Sequence, residues 1–192
     1  MMVDIVFEFP RPTMPNIVYI GGFQCKLARP LAAESEEFVQ GCEEHELIVM
    51  SLGALVDSLS EQIRMEIAEA LLKYPRRLFG DMMGNPSHKL LTEWIPQNDL
   101  LRHPNTRVFI SHGGTNGIYH GVPVISMPLI FDQFDNVVRL VSQSVAKVLK
   151  ISTMHSTDLL QALNEVINDT LFRDNMKKLS ALHRDQPGSP MK

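Results

Sequence analysis

Short apolar runs alternate along this chain with segments of helical periodicity, and this alternation constrains its fold more than any other feature. Aliphatic runs bounded by turn residues are typical of buried strands. The predicted strands are Leu47–Met50, Leu90-Leu91, Val108–Ile110, Val124–Met127 and Val145–Leu149. Because strands separated by helices pair in parallel, the sequence predicts an α/β fold, a Rossmann-like parallel sheet with helices on both faces.

Three segments have the features of helices. In the first, Ser58 and Glu61 have the spacing of a capping box, and Pro75 ends the pattern. In the second, Ser156 stands where an N-cap is expected. The third helix is predicted over Leu171–His183. The apolar positions are Ile63, Ile67, Ala70 and Leu71 in the first helix, and Leu159, Leu160, Leu163, Val166 and Ile167 in the second.

The ends of the chain differ in composition from its middle. Residues 1–24 contain three prolines, and residues before proline avoid the α region, which predicts an extended linker running into a short strand at Ile17–Ile20. Residues 25–186 are predicted to form the folded domain. Residues 187–192 follow the last predicted helix and are expected to be a tail.

Composition and charge exclude several classes of function. The 18 Lys and Arg against 22 Asp and Glu give a net charge of −4 with no basic run, which argues against nucleic-acid binding. Cys25 and Cys42 are too few for a disulfide framework and wrongly spaced for zinc, so no metal site is predicted. The first residues lack the basic and apolar regions of a signal peptide, and the uncharged stretch Val108–Phe131 contains glycines and prolines that a lipid-facing helix would not tolerate.

A glycine-rich loop follows the predicted strand Val108–Ile110 and leads into a helix. Ligands of open parallel sheets bind beyond the carboxyl ends of the strands. The bare backbone of Gly113 and Gly114 would let phosphate oxygens approach, and a helix N-terminus favours an anion. His112 can donate a hydrogen bond to that phosphate or pair with it as a cation. The alternative is that these glycines only form a turn and bind no ligand. The G-x-G-x-x-G fingerprint of dinucleotide-binding proteins is absent from the sequence.

Four segments around this loop resemble the donor-binding signature of UDP-glycosyltransferases, and specifically the vertebrate UDP-glucuronosyltransferase family. They are Trp94–Leu101, Phe109–Gly114, Gly121–Pro123 and Pro128–Asn136, with further matches at Phe7–Pro12, Tyr19–Phe23, Ser51–Gly53 and Leu182–Asp185. The resemblance implies a GT-B fold, in which two Rossmann-like halves face a cleft. This chain would be the C-terminal half: an interdomain linker, a UDP-sugar-binding domain over residues 25–186, and a truncated tail.

The resemblance also implies roles for individual residues in binding a UDP-sugar. Trp94 matches a residue that stacks on uracil, although a core tryptophan is the alternative, and Gln97 matches one that contacts the nucleoside. Ser51 and Gly53 end a strand, where a hydroxyl and bare backbone can meet the diphosphate. The matches to the diphosphate cradle are His112, Gly113, Gly114 and Asn116.

A carboxylate and an amide match the pair that holds the sugar. Asp132 and Gln133 would grip the vicinal hydroxyls, although without the resemblance they would be an ordinary polar loop. The remaining histidines show no ligand-like grouping and are predicted to be surface or structural: His45, His88, His103, His120, His155 and His183.

The sequence departs from the family pattern in two places. About four residues are missing between Tyr119 and His120, among them the glutamate that the resemblance assigns to the ribose hydroxyls, and nothing in the sequence clearly replaces it. Only His112–Val122 would join two parallel strands, a connection that normally needs a dozen or more residues, so the helix should shrink to one or two turns and nucleotide binding should weaken. The family's Trp-Arg has no secure match in Tyr74–Gly80.

The activity implied by the resemblance is transfer of a hexosyl group, glucuronosyl in the closest family, from a UDP-sugar to a small lipophilic acceptor with inversion. The UDP-sugar is a co-substrate and no cofactor is expected. No catalytic residue is assigned here, because the base would lie in an N-terminal half, which would also be needed to bind the acceptor. The implied location is the lumenal face of the endoplasmic reticulum membrane. The alternatives are an inactive truncated member that associates with full-length enzymes, and a pseudo-domain that does not fold stably.

Overall fold

A computed structural model describes residues 12, 14–17, 26–41, 47–53, 59–74, 77–80, 89–91, 95–114 and 116–185 of the chain. Its strands are β1 (Leu47–Ser51), β2 (Arg77–Gly80), β3 (Lys89–Leu91), β4 (Thr106–Ser111), β5 (Val124–Ser126) and β6 (Ala146–Val148). Its helices are α1 (Ala33–Gln40), α2 (Glu61–Lys73), α3 (Gln97–Arg102), α4 (Asn116–His120), α5 (Gln133–Ser142), α6 (Ser156–Asn168) and α7 (Thr170–Arg184).

The six strands form one parallel sheet in the order β3-β2-β1-β4-β5-β6. This is the doubly wound order of a Rossmann fold, in which the chain turns back on itself between β1 and β4. The parallel α/β fold predicted from the alternating pattern is therefore confirmed. Because connections leave opposite faces of the sheet on the two sides of β1 and β4, a crevice opens beyond the carboxyl ends of these two strands.

The core consists of two apolar layers, one on each face of the sheet. On β1, Ile48 and Met50 face the layer that contains α2 and α6, whereas Leu47 and Val49 face the layer that contains α3, α5 and α7. Successive side chains of a strand point to opposite faces, so an uninterrupted apolar run such as β1 supplies both layers. All five residues of β1 are buried, which explains why the run contains no charge.

The five strands predicted between Leu47 and Leu149 are all present, but at the two predicted helix caps a neighbouring residue caps the helix instead. Helix α2 is capped by Ser60, whose Oγ accepts from the Ile63 N–H at 3.4 Å, whereas Ser58 lies outside the described residues. Ser156 is the first helical residue and not the cap of α6. The cap is His155, because the Asp158 carboxylate accepts from its backbone N–H at 2.8 Å and closes the turn from within the helix.

Several predictions fall partly or wholly on residues outside the described ranges. Of the predicted strand Ile17–Ile20 only the first residue is described, and it is not in a strand. The linker over 1–24 is described only at 12 and 14–17, and the tail at 187–192 is not described. Strand β2 and helices α3 and α5 had not been assigned from the sequence. Among the described helices, none is long and apolar enough to cross a membrane.

The crossover from β4 to β5 is short, as the sequence predicted. It spans residues 112–123 and contains only the five-residue helix α4. Gly117 lets this helix lie directly on the sheet, since a Cβ there would come within 2.5 Å of Val124 Cγ2. The end of α4 is held by α7, where the Ser180 hydroxyl donates to the Tyr119 carbonyl at 2.9 Å. The short connection is therefore accommodated by close packing of α4, and the sheet continues from β4 to β5.

Candidate nucleotide site

Two equivalent turns end β1 and β4 at the centre of the crevice. Ser51 and Ser111 are partners in the register of the two strands. The hydroxyl of Ser51 accepts from the Gly53 N–H at 3.4 Å, and that of Ser111 accepts from the Gly113 N–H at 3.3 Å. Both glycines have positive φ, +67° and +103°, a conformation that glycine adopts without steric cost. Each strand therefore leads into a tight turn that carries no side chain at its glycine.

The imidazole of His112 lies between these turns. A Cβ built on Gly53 would lie 3.4 Å from His112 Cε1, and one built on Gly114 would lie 3.6 Å from His112 Nε2. The predicted diphosphate residues on β1 and β4 are thus brought together across the crevice. An imidazole beside bare peptide backbone can donate hydrogen bonds to an anion that approaches from the open edge.

The basis for anion binding differs in one respect from that expected. Asn116 begins α4 and is exposed, but this helix has only five residues. So short a helix aligns few peptide dipoles, and its macrodipole is correspondingly small. Any anion binding at this edge would therefore depend more on the glycine turns and His112 than on a helix N-terminus, which the sequence had suggested.

Helix α5 packs against the glycine loop at Gly113. A Cβ on Gly113 would lie 3.0 Å from the Gln133 carbonyl oxygen and 3.0 Å from Val137 Cγ2. It would also lie 3.3 Å from the hydroxyl of Ser126, which is fully buried and has no hydrogen-bond partner among the described residues. Only glycine fits at this position, so the loop has one stable placement over β5 and α5.

The two predicted sugar-binding residues have different environments. The Gln133 side chain is buried, and its Oε1 accepts from the backbone N–H groups of Leu129 and Ile130 at 2.7 and 3.0 Å. Its amide oxygen is committed to the turn, which leaves the NH2 group for a ligand. Asp132 is exposed, and its Oδ2 accepts from Asn136 Nδ2 at 3.4 Å. The Asp132 carboxylate is therefore more available to a ligand than the Gln133 side chain.

The nucleoside end of the predicted site is described in part. Gln97 is the first residue of α3 and is half-buried, while Trp94 lies outside the described residues. Next to Gln97, Asn98 Oδ1 lies 3.1 Å from Nε2 of His120 on α4. Burial, followed by the nearby Arg184 and Arg102 guanidinium groups, lowers the pKa of His120 from 6.5 to about 4, so its ring is uncharged at neutral pH.

Sequence reasoning missed two hydroxyls at this edge, although the sequence carries a signal for them. Three successive core strands, β1, β4 and β5, end in serine: Ser51, Ser111 and Ser126. They are neighbours in the sheet register. A serine that ends each aliphatic run marks the level at which parallel strands stop, and the Ser-x-Gly spacing on β1 and β4 marks the two turns.

Other features of the described structure lie away from this edge. A cavity of about 260 Å³ lies between β6 and α6, lined in part by Lys147, Thr153 and Glu165, and contains none of the predicted site residues. Within the described ranges, no three His, Cys, Asp or Glu side chains are grouped so as to hold a metal ion.

Known proteins resemble this chain over almost its full length. Human UDP-glucuronosyltransferase 2B17 is 45% identical over 194 residues, and UDP-glucuronosyltransferase 2A1 of Rattus norvegicus is also 45% identical. Each match covers 96% of this chain but 37% of the relative. The chain therefore spans little more than a third of the length of these relatives.

Solved structures confirm the architecture. Glycosyltransferase VinC in complex with DTDP superposes with a TM-score of 0.76 over 97% of this chain and 48% of its own, at 15% identity. Os79 from O. sativa, in complex with U2F and trichothecene, superposes with a TM-score of 0.71 over 79% of this chain and 40% of its own, at 17% identity. At such low identity these neighbours establish the fold alone, that of the Rossmann-like domain of a GT-B glycosyltransferase.

The family model described as UDP-glucoronosyl and UDP-glucosyl transferase matches residues 1–192. Together with the 45% identity to mammalian UDP-glucuronosyltransferases, this match shows that the chain belongs to the UDP-glucoronosyl and UDP-glucosyl transferase family.

Proposed function

We propose that the edge of the sheet beyond β1 and β4 binds a UDP-sugar, specifically UDP-glucuronate, as the donor of a hexosyl group. The observation that carries this proposal is the juxtaposition of the two glycine turns with His112: both Gly53 and Gly114 lie against its imidazole. Bare peptide groups and one imidazole at a strand switch point suit a diphosphate. Family membership supports the proposal that this diphosphate is part of a UDP-sugar.

In this proposal the remaining predicted residues extend the site in two directions. Gln97 contacts the nucleoside at the start of α3, and Trp94 is the residue predicted to stack on its base. Asn116 completes the diphosphate cradle together with Ser51 and Gly113. On the other side, the exposed Asp132 carboxylate accepts hydrogen bonds from sugar hydroxyls, and the Gln133 NH2 group donates to them.

The reaction that we propose is the one that the family resemblance implies. The acceptor hydroxyl, deprotonated by a base in an N-terminal half, attacks the anomeric carbon of the sugar from the face opposite the diphosphate. The bond from that carbon to the diphosphate oxygen breaks, and its electron pair leaves with UDP. Residues of this chain stabilise the negative charge of the leaving group, because the donors are already aligned before reaction. The configuration at the anomeric carbon is therefore inverted.

The proposal includes the organisation of the chain. Residues 25–186 would form the donor-binding domain and 1–24 the linker to an N-terminal half that supplies the base and binds a small lipophilic acceptor. The expected localisation is the lumenal face of the endoplasmic reticulum membrane.

Isothermal titration with UDP and UDP-glucuronate tests the proposal directly. We expect micromolar binding of UDP that His112→Ala weakens by about tenfold, the worth of a hydrogen bond to a charged group. His103→Ala is the control, because His103 lies between α3 and β4, at the amino edge of the sheet and so away from the site, and should leave the affinity unchanged. A chain that melts cooperatively but binds neither ligand would contradict a donor site, and would favour a role through association with other family members.

A further inference from the structure

A hydrogen-bond chain joins α3 to the end of α4. Asp99 Oδ1 accepts from the Arg29 backbone N–H at 2.7 Å and from Asn98 Nδ2 at 3.2 Å. With its NH2 group donating to Asp99, the Asn98 amide turns its oxygen toward His120 Nε2, 3.1 Å away. The orientation of the amide is thus set by groups outside the imidazole.

This chain of hydrogen bonds fixes the tautomer of His120. Because Asn98 Oδ1 can only accept, Nε2 of His120 carries the proton and donates it. Nδ1 is then a bare acceptor, and it has no hydrogen-bond partner among the described residues. With its pKa lowered to about 4 by burial and by Arg184 and Arg102, the ring stays neutral and Nδ1 keeps its lone pair at neutral pH.

His120 joins α3, where the nucleoside is proposed to bind, to α4, which follows the glycine loop. Its partner Asn98 directly follows Gln97, the predicted nucleoside contact, in the first turn of α3. Along α4, His120 lies four residues after Asn116, which is about 6 Å of helical rise from Asn116. A nucleotide whose base lies at the start of α3 and whose diphosphate lies at the glycine turns must carry its ribose across this gap.

We propose that Nδ1 of His120 accepts a hydrogen bond from a ribose hydroxyl of the bound nucleotide, and that Asn98 is the positioning residue that sets the tautomer. This assigns a ligand role to a histidine that sequence reasoning placed among surface or structural residues. It also supplies an acceptor where the chain lacks the glutamate that the resemblance implied, since His120 directly follows Tyr119 on α4. The inference rests on the proposed donor function and makes the site selective for ribonucleotides.

Deoxynucleotides separate this role from a structural one. We expect the native chain to bind UDP about tenfold more tightly than at least one of 2′-deoxy-UDP and 3′-deoxy-UDP, the worth of one hydrogen bond. His120→Phe should remove this preference and lower UDP affinity by the same factor, while binding of that deoxy analogue is unchanged. His103→Phe, at the amino edge of the sheet, should keep the preference. A His120→Phe chain that discriminates against the deoxy analogues as the native chain does would overturn the proposal.

Two further measurements keep the test independent of folding defects. Nitrogen-15 spectra of the histidine side chains should show His120 protonated at Nε2, with the Nδ1 signal moving on addition of UDP; Asn98→Ala should mix the two tautomers. An Nδ1 signal that does not respond to saturating UDP contradicts the contact. If the folded native chain binds no UDP at all, the donor function itself fails, a result distinct from UDP binding without ribose discrimination.

Discussion

Gly117 on α4 lies so close to Val124 on β5 that a Cβ at position 117 would come within 2.5 Å of the valine Cγ2. This contact shows how a twelve-residue crossover joins two adjacent parallel strands. A connection of this kind normally requires a dozen or more residues, so this one is at the lower limit, and its five-residue helix has little more than one turn and lies directly on the sheet. The absence of a side chain at position 117 makes that approach feasible.

Replacing Gly117 by Ala should therefore destabilise the fold although alanine favours helices. We expect a loss of about 1–3 kcal/mol, the usual cost of overpacking a core, measured by urea unfolding. In the double variant Gly117→Ala/Val124→Ala the valine methyl groups are gone, so the two changes should couple favourably by at least about 1 kcal/mol. Strict additivity would contradict the contact.

The two glycine turns should respond differently to alanine. At Gly113, φ is +103° and the Cβ would lie 3.0 Å from a backbone oxygen, whereas at Gly53, φ is +67° and the nearest atom, His112 Cε1, is 3.4 Å away. The left-handed region costs an alanine about 1–2 kcal/mol, and Gly113→Ala adds steric overlap to its own strain. Urea unfolding should therefore rank Gly113→Ala as more destabilising than Gly53→Ala. The reverse order would show that the turn at β1 is the more constrained.

The strands were predictable from the sequence because each is a short aliphatic run, and the parallel sheet followed from their alternation with helices. Helix α3 was missed because its six residues carry too short a pattern to show a helical period. It forms because Leu100 and Leu101 are buried in the core, and most helical stability in proteins comes from such packing. Strand β2 was missed because arginine begins it and only Leu78 and Phe79 are aliphatic or aromatic.

The candidate site was predictable to the extent that it is local in sequence. The Ser51–Gly53 and Ser111–Gly113 turns each lie within three consecutive residues, so a short sequence pattern is enough to predict them. The approach of Asn98 to His120 joins residues 22 positions apart, and depends on how closely α3 and α4 pack. No local pattern encodes that distance, so the sequence could not show which histidine contacts Asn98.

Asp132 and Gln133 should separate into a ligand role and a structural role. Gln133→Leu removes the acceptor of two backbone N–H groups, those of Leu129 and Ile130, and each unsatisfied donor costs about 1–3 kcal/mol. Asp132→Ala removes an exposed side chain with one long contact, so unfolding in urea should change by less than about 0.5 kcal/mol. In titrations, Asp132→Ala should weaken UDP-glucuronate binding and leave UDP binding unchanged. Equal losses for both ligands would place the carboxylate away from the sugar.

Stability should fall as the pH is lowered from 7 to 5, and His120 should account for much of the decline. Its pKa is lowered to about 4 in the folded chain, first by burial and then by Arg184 and Arg102, from 6.5 in the unfolded chain. Between these values the unfolded state binds the proton and the folded state does not, so the contribution of His120 is fully present above pH 6.5 and is lost progressively as the pH falls toward 4. At pH 5 the loss should be about 2 kcal/mol. Urea unfolding of the native chain and of His120→Phe at both pH values isolates this contribution, because the carboxylates are common to the two proteins. The variant should lose less stability than the native chain over this interval, and parallel pH profiles would show that the histidine is protonated without cost in the folded state.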